Sequence, residues 1–156
     1  KLLNHIRDIC SEYGMIYERP SIYIHIHSNG GDLYTGLSAY DNLKYYRSHA
    51  RIITIADGYV ASSATLLLLG GEERKMFEHS HILIHQLRTD GPNGKFSEIL
   101  DEVNNCKELM EMMKSIYVTE TNFSTEDAES CMGKEVNLSS SECITNGIVN
   151  EILKKI

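Results

Sequence analysis

The hydrophobic positions of the chain follow two different periods, and their order predicts alternating strands and helices. Residues 21–27 alternate strictly, with isoleucine at every second position, as in a strand that buries one face. Leu33–Tyr46 repeats apolar residues about once per helical turn. Residues 52–56 are a β-branched run typical of a buried strand, and Ala64–Leu69 has the composition of a buried helix. This order predicts βαβ units in a mostly parallel sheet.

Further elements are predicted on both sides of this region. The first residues form an amphipathic pattern, typical of a helix that Gly14 is expected to end, and residues 81–87 indicate another strand. Residues 88–95 are rich in turn formers and predict a loop or an irregular edge strand. Residues 96–117 carry the longest apolar stripe and predict a long helix. Two alternatives are open for this stripe, namely packing on its own domain and packing against another subunit.

The last part of the chain predicts two short helices and a closing strand. Ser124, followed by acidic residues, is a typical N-cap for a helix that runs through Met132. Ser139 or Ser140 is expected to cap a second helix that ends near residues 146–147. The apolar pair at 148–149 predicts the final strand.

Composition limits the possible partners. The chain has 156 residues, which predicts one domain, and its formal net charge of -7 argues against a nucleic-acid partner. No apolar run approaches the length of a membrane span, so no membrane partner is expected. The four cysteines are scattered without metal-ligand spacing, which indicates reduced, mostly buried thiols of an intracellular, cytoplasmic protein. An organelle stroma or matrix and a phage-infected cell are the alternative locations.

Two histidines share one face of the first predicted strand. His25 and His27 stand two residues apart, but no third ligand lies at a suitable spacing, so no metal is expected. We expect both to be half-buried strand residues. The chain also has no phosphate-binding G-x-x-x-x-G-K-[ST] motif, and no cofactor is expected.

Candidate chemistry gathers at the predicted carboxyl ends of the strands. Ser62 lies where the strand over 52–56 turns into a helix, which exposes its hydroxyl beside the unpaired N–H groups of the first helical turn. This is the geometry that a serine nucleophile and an oxyanion hole require, and a plain N-cap serine is the alternative. Gly30 and Gly31 follow the first strand, and His85 stands near the end of another. A structural histidine is the alternative to a general base there.

The order and spacing of several motifs resemble those of the Clp-type serine peptidase family. Residues 28–31, Ser-Asn-Gly-Gly, resemble the family's Ser-Pro-Gly-Gly, and residues 58–62, Gly-Tyr-Val-Ala-Ser, resemble Gly-x-Ala-Ala-Ser. Ile-His-Gln at 84–86 fits directly, and so do Tyr-Asp at 40–41 and Leu-Ser at 138–139. The resemblance implies an α/β fold of the crotonase type, a β/α/β spiral. It also implies a single domain over 1–156, with a protruding handle at about 88–118 made of a strand and a long helix.

The resemblance also implies the roles of individual residues. Ser62 matches the family's nucleophile and His85 its general base. Glu135 stands where the family has the aspartate of its triad, and a glutamate can also orient an imidazole. The backbone N–H groups of Gly31 and Ser63 match the oxyanion hole, and an extended peptide would also run along residues 88–95. The positions that match substrate-binding residues are Gly30, Gly31, Gln86 and Leu87.

Partners follow from the same resemblance. It implies a homo-oligomer of stacked heptameric rings that encloses a chamber and receives unfolded polypeptides from an ATP-dependent unfoldase of the Clp ATPase type. Asn29, Leu87 and Asn137 depart from the family pattern, which indicates a divergent member from a phage, a virus or an organelle.

Other functions compete with the peptidase hypothesis. The first is a catalytically weak or inactive ring or scaffold subunit of the same fold, and Glu135 in place of aspartate is its main support. An acyl-CoA enzyme of the crotonase superfamily is disfavoured, because those enzymes need acidic residues where this chain pairs serine with histidine. An α/β-hydrolase is disfavoured too, because the segment from Gly58 to Ser62 is not G-x-S-x-G.

Overall fold

The computed structural model describes residues 1–13, 19–89, 91 and 93–154. The helices are α1 (Leu2–Tyr13), α2 (Leu33–Tyr46), α3 (Ala64–Leu69), α4 (Phe96–Glu120), α5 (Thr125–Met132) and α6 (Ser140–Thr145). The strands are β1 (Ser21–Ser28), β2 (Arg51–Ala61), β3 (Glu73–Phe77), β4 (His81–Leu83), β5 (Asn137–Leu138) and β6 (Glu151–Leu153). Gly14, the predicted end of the first helix, lies outside the described residues.

The sheet is built around β2, its longest strand. β1 runs parallel to β2, β3 pairs in parallel with its first half, and β4 pairs in parallel with its last three residues. β6 continues the parallel pairing beside β3, whereas β5 is antiparallel to β4. The prediction of a mostly parallel sheet is confirmed. The carboxyl ends of β1, β2 and β4 therefore meet on one side, where the candidate residues lie.

The middle of β2 is irregular at Gly58. This glycine has a φ of 94°, and the register between β1 and β2 shifts between Ile26 and Ser28. The hydroxyl of Ser80 accepts the N–H of Gly58 at 2.8 Å and donates to the carbonyl of Ala56 at 3.0 Å. Ser80 thus satisfies backbone groups that the bulge leaves out of the ladder. The bulge separates the half of β2 that pairs with β3 from the half that pairs with β4.

The apolar core lies on the face of the sheet that carries α2 and α3. Ile22, Ile24 and Ile26 are buried there, as the alternation of β1 predicts. The prediction of half-buried histidines is wrong, because His25 and His27 are both exposed on the opposite face. The Nδ1 atom of His25 lies 3.1 Å from the Asp57 carboxylate.

Several element boundaries differ from the predictions. β4 ends at Leu83, four residues before the end of the predicted strand, because beyond it the N–H of Gln86 donates to the carbonyl of Met132 in α5 at 2.7 Å instead of pairing with a strand. Residues 148–149 are buried but not a strand, since the N–H of Ile148 caps α6 by donating to the carbonyl of Cys143 at 2.9 Å. The closing strand is β6.

The ends of the helices follow the capping signals more closely. Ser124 caps α5 as predicted, and of the two predicted alternatives for α6 Ser139, not Ser140, is the cap; each lies within a capping box. α4 continues to Glu120, about a turn beyond the predicted end. The prediction of mostly buried cysteines is wrong, because Cys143 is buried but Cys10, Cys106 and Cys131 are partly exposed.

Candidate active site

Ser62 occupies a left-handed turn between β2 and α3. Its φ is 57°, a conformation that costs a non-glycine residue about 1–2 kcal/mol. Three hydrogen bonds hold it: its N–H donates to the carbonyl of Leu83 at 2.9 Å, and its carbonyl accepts the N–H of Thr65 at 2.9 Å and the Thr65 hydroxyl at 2.7 Å. The N-cap of α3 is Ser63, not Ser62. Within the described part of the chain, the Ser62 hydroxyl has no hydrogen-bond partner and is left available for chemistry.

The turn after β1 lies directly against this serine turn. Gly30 and Gly31 both have positive φ values, and Gly30 faces the side chain of Ser62. The hydroxyl of Ser63, which is buried, donates to the carbonyl of Gly31 at 3.2 Å. Two strand ends that are far apart in sequence are thereby joined, and the predicted oxyanion donors, Gly31 and Ser63, are brought together.

A cleft of about 560 Å³ opens in front of these turns. Its walls include Gly31, Ser62, Ser63 and His85, so the predicted nucleophile, base and oxyanion residues share one cavity. Gln86 and Leu87, two of the predicted substrate-binding residues, continue one wall. The opposite wall comes from α4 and consists of Glu102, Asn105, Cys106, Leu109 and Met113.

The residues from α4 were not singled out as site residues from the sequence. Leu109 and Met113 belong to the apolar stripe of this helix, and a stripe predicts burial without indicating a cleft. The N–H of Leu87 contacts the sulfur of Met110 at 3.2 Å, which fixes the chain after β4 against the helix. The wall formed by α4 is therefore partly apolar, suited to an apolar side chain of a bound peptide.

His85 is half-buried just beyond β4, and Glu135 is exposed just before β5. These two strands pair antiparallel, with Ile82 opposite Leu138 and Leu83 opposite Asn137. Continuing that register would bring Glu135 opposite His85. However, Glu135 does not line the cleft, and no hydrogen bond joins the described side chains of His85, Ser62 and Glu135. Hydrogen bonds between catalytic groups are often loose without substrate, so the triad stays a prediction.

Asp32, a carboxylate that lines the cleft, has a structural role. Asp32 caps α2 and accepts from the hydroxyl of Thr35 at 2.7 Å and from its N–H at 2.8 Å. These hydrogen bonds, the hydroxyl first, lower the pKa of Asp32 below its ordinary value. Asp32 is therefore ionised at neutral pH, and its carboxylate is engaged in capping α2.

No group of three or more potential metal-ligating side chains occurs among the residues that the structure describes. Within the same ranges, no helix is long and apolar enough to cross a membrane.

Comparisons with known proteins agree with this architecture. A family model described as Clp protease matches residues 13–156. The "ATP-dependent Clp protease proteolytic subunit" of Chlorella vulgaris is 30% identical over 137 residues, which cover 86% of this chain and 67% of that protein. The protein of the same name from Pleurastrum terricola is 32% identical over 135 residues, covering 85% and 67%.

A solved structure shows the same fold. A mutant of ClpP1 from Listeria monocytogenes superposes with a TM-score of 0.82 at 24% sequence identity, covering 99% of this chain and 85% of that chain. The crotonase-type fold implied by the motifs is confirmed by this match.

Proposed function

Because the chain belongs to the Clp protease family, we propose that it is a serine endopeptidase that cleaves unfolded polypeptides, with a triad of Ser62, His85 and Glu135. Family membership supports a role in proteolysis, and the serine mechanism is the finer proposal. The observation that carries it is the cleft itself. Ser62, whose hydroxyl has no hydrogen-bond partner among the described residues, lies in a left-handed turn and lines the same cavity as His85 and the two residues proposed as backbone donors.

The mechanism is acyl transfer to water. The Ser62 hydroxyl oxygen attacks the peptide carbonyl carbon while His85 takes the hydroxyl proton, and His85 then gives this proton to the leaving amine as the peptide C–N bond breaks. Water repeats the sequence on the ester, releasing the new carboxylate and restoring the serine. Glu135 would orient the imidazole and stabilise its charged form.

Backbone groups stabilise the negative charge that develops on the carbonyl oxygen. The N–H groups of Gly31 and Ser63 are the proposed donors, and one such donor contributes roughly 3–4 kcal/mol to the transition state in other hydrolases. Gly30, Gly31, Gln86 and Leu87 would bind the peptide in an extended form, together with Arg88 and Thr89, which also line the cleft.

Assembly completes the proposal. Family membership implies an oligomer, and α4 exposes apolar side chains that this chain leaves uncovered, among them Phe96, Leu100 and Val103. We assign residues 88–118 as the handle of a single domain over 1–156, through which two heptameric rings stack. A Clp-type ATPase would feed unfolded chains into the enclosed chamber. A cytoplasmic or organellar location stays a prediction.

A catalytically weak or inactive ring subunit is the second candidate function. The position of Glu135 favours it, because this carboxylate is exposed and makes no hydrogen bond to His85 within the described residues. In that case the fold would serve the assembly while the cleft contributes little chemistry.

Labelling with a fluorophosphonate, together with hydrolysis of a fluorogenic peptide, tests the proposal. The parent protein should be labelled at Ser62 and should hydrolyse the peptide, and Ser62→Ala should lose both properties. Ser97→Ala, a matched change on the exposed surface of α4, should retain both. A parent that assembles into a large oligomer but is neither labelled nor active would instead identify an inactive ring subunit.

A further inference from the structure

Behind the serine turn, a tyrosine of α4 reaches the first turn of α3. Tyr117 is 1% exposed and Thr65 is fully buried. The Tyr117 hydroxyl oxygen lies 2.6 Å from the hydroxyl oxygen of Thr65. The Thr65 hydroxyl lies in turn 2.7 Å from the carbonyl oxygen of Ser62. Two buried hydroxyl groups therefore link α4 to the backbone of the proposed nucleophile.

The Ser62 carbonyl, where this series of hydrogen bonds ends, fixes the direction of each bond. The carbonyl of Ser62 can only accept, so Thr65 donates its single hydroxyl proton there. Tyr117 must then be the donor in its contact with Thr65. Burial raises the pKa of Tyr117 well above its ordinary value, so that its hydroxyl keeps the proton at neutral pH.

We infer that Tyr117 is a positioning residue for Ser62, acting through the hydroxyl of Thr65 on the left-handed serine turn. This inference rests on the proposed function. Ser62 needs such support because its backbone conformation is unfavourable for a residue with a side chain and persists only where its surroundings hold it. The bonded carbonyl belongs to the strained residue itself, so a small rotation there would redirect the hydroxyl that attacks the substrate.

The position of Tyr117 on α4 strengthens the inference. Met113 lies one helical turn earlier on the same face and lines the cleft. One face of α4 therefore contacts the proposed site twice, with Met113 on the substrate side and Tyr117 behind the serine. A buried tyrosine with a purely structural role would also need a hydrogen-bond partner, but any polar group could serve. The partner of Tyr117 is instead the residue whose hydroxyl bonds the backbone of the proposed nucleophile.

Tyr117→Phe removes one oxygen atom and is the central test, with Thr65→Val as its partner variant. Tyr40→Phe is the matched control, because the Tyr40 hydroxyl is also largely buried but donates to Glu120 at 2.7 Å, away from the serine turn. The measurements are the rate of fluorophosphonate labelling at Ser62, kcat and KM for a fluorogenic peptide, thermal stability, and amide hydrogen exchange at Thr65.

Tyr117→Phe should slow labelling and lower kcat by roughly ten- to a hundredfold with little change in KM, as expected for a misplaced reacting group. Amide exchange at Thr65, whose N–H donates to Ser62, should accelerate. The double variant with Thr65→Val should be no slower than the worse single variant, because both interrupt one chain of hydrogen bonds. Tyr40→Phe should lose stability without these effects.

Equal labelling rates and equal Thr65 exchange in Tyr117→Phe and Tyr40→Phe would overturn the positioning role. If the parent protein is not labelled at all, the proposed peptidase function fails. The exchange measurement then still decides whether Tyr117 holds the serine turn, so the two failures are distinguishable.

Discussion

Gly30 and Ser62 approach each other so closely that a methyl group at Gly30 would lie 2.6 Å from the Cβ of Ser62. The same methyl group would lie 2.6 Å from the carbonyl oxygen of Ala61. Gly30 also has a φ of 87°, which favours glycine. The turn after β1 and the turn after β2 are therefore fitted to each other at a point where no side chain can be added.

Gly30→Ala should disrupt the proposed site more than it disrupts the fold. The added methyl group must push the serine turn away, and we expect kcat to fall by about a hundredfold or more. The free energy of unfolding should fall by about 1–3 kcal/mol from overpacking and strain. Gly133→Ala is the control, because its nearest atom would be 3.3 Å away and its φ is negative. Peptide hydrolysis and thermal unfolding of both variants measure the difference.

Glu135→Gln tests the third member of the proposed triad. If this carboxylate orients His85, the change should reduce kcat by on the order of 10⁴-fold, the size of the corresponding effect in other serine peptidases. Stability should hardly change, because Glu135 is exposed. Glu126→Gln removes the same charge from the exposed surface of α5 and should leave kcat unaltered. Equal activities of the two variants would exclude Glu135 from the mechanism.

Glu120, the last residue of α4, joins this helix to α2 and β3. Its side chain is 8% exposed, lies 3.5 Å from the guanidinium of Arg74 and 3.8 Å from that of Arg47, and also accepts a hydrogen bond from Lys44. Arg74 donates in addition to the carbonyls of Gly147 and Ile148. A single carboxylate therefore neutralises several cations where α4 meets the sheet.

Glu120→Gln should lower the free energy of unfolding by about 3 kcal/mol, because it leaves the largely buried guanidinium groups of Arg74 and Arg47 without this counter-charge. Burial alone would raise the pKa of Glu120, but hydrogen bonds from Lys44 and Tyr40 outweigh it and lower the pKa below its ordinary value of 4.5. The ionised carboxylate thus stabilises the fold above that pH, and this contribution is lost as the pH falls through the lowered pKa. Denaturant unfolding between pH 7 and pH 3 should show the parent and the variant converging at acidic pH. A constant difference would contradict this assignment.

Leu100→Glu should weaken the assembly without unfolding the chain. Leu100 is 47% exposed within the apolar stripe of α4, beside the still more exposed Phe96. A charge placed in a buried interface would remain unpaired and would be costly. We expect a smaller particle in a solution mass measurement, with an unchanged far-UV circular dichroism spectrum. Ser97→Glu adds the same charge to a nearby polar position. If both variants assemble like the parent, the stripe is not an interface.

Local patterns in the sequence determined most of the elements. The bounds of α2 and α3 agree with the prediction, because α2 repeats apolar residues about once per turn and α3 is apolar along nearly its whole length. The cap at Ser124 is also predictable, since a capping box involves residues only three positions apart, whereas for α6 the sequence left Ser139 and Ser140 as alternatives and the structure selects Ser139. Ser62, His85 and Gly31 could be chosen as candidates because strand ends of a parallel sheet gather on one side.

Tertiary structure decided what depends on contacts between distant residues. The early end of β4 and the shift of the last strand to β6 follow from hydrogen bonds that Gln86 and Ile148 donate to α5 and α6 instead of to a strand. Hydrophobic periodicity describes each segment separately and does not indicate which segments meet. It therefore could not show that α4 forms a wall of the cleft, or that hydroxyl groups link Tyr117 through Thr65 to Ser62. Periodicity records which face of an element is buried, and only the folded chain determines what that face meets.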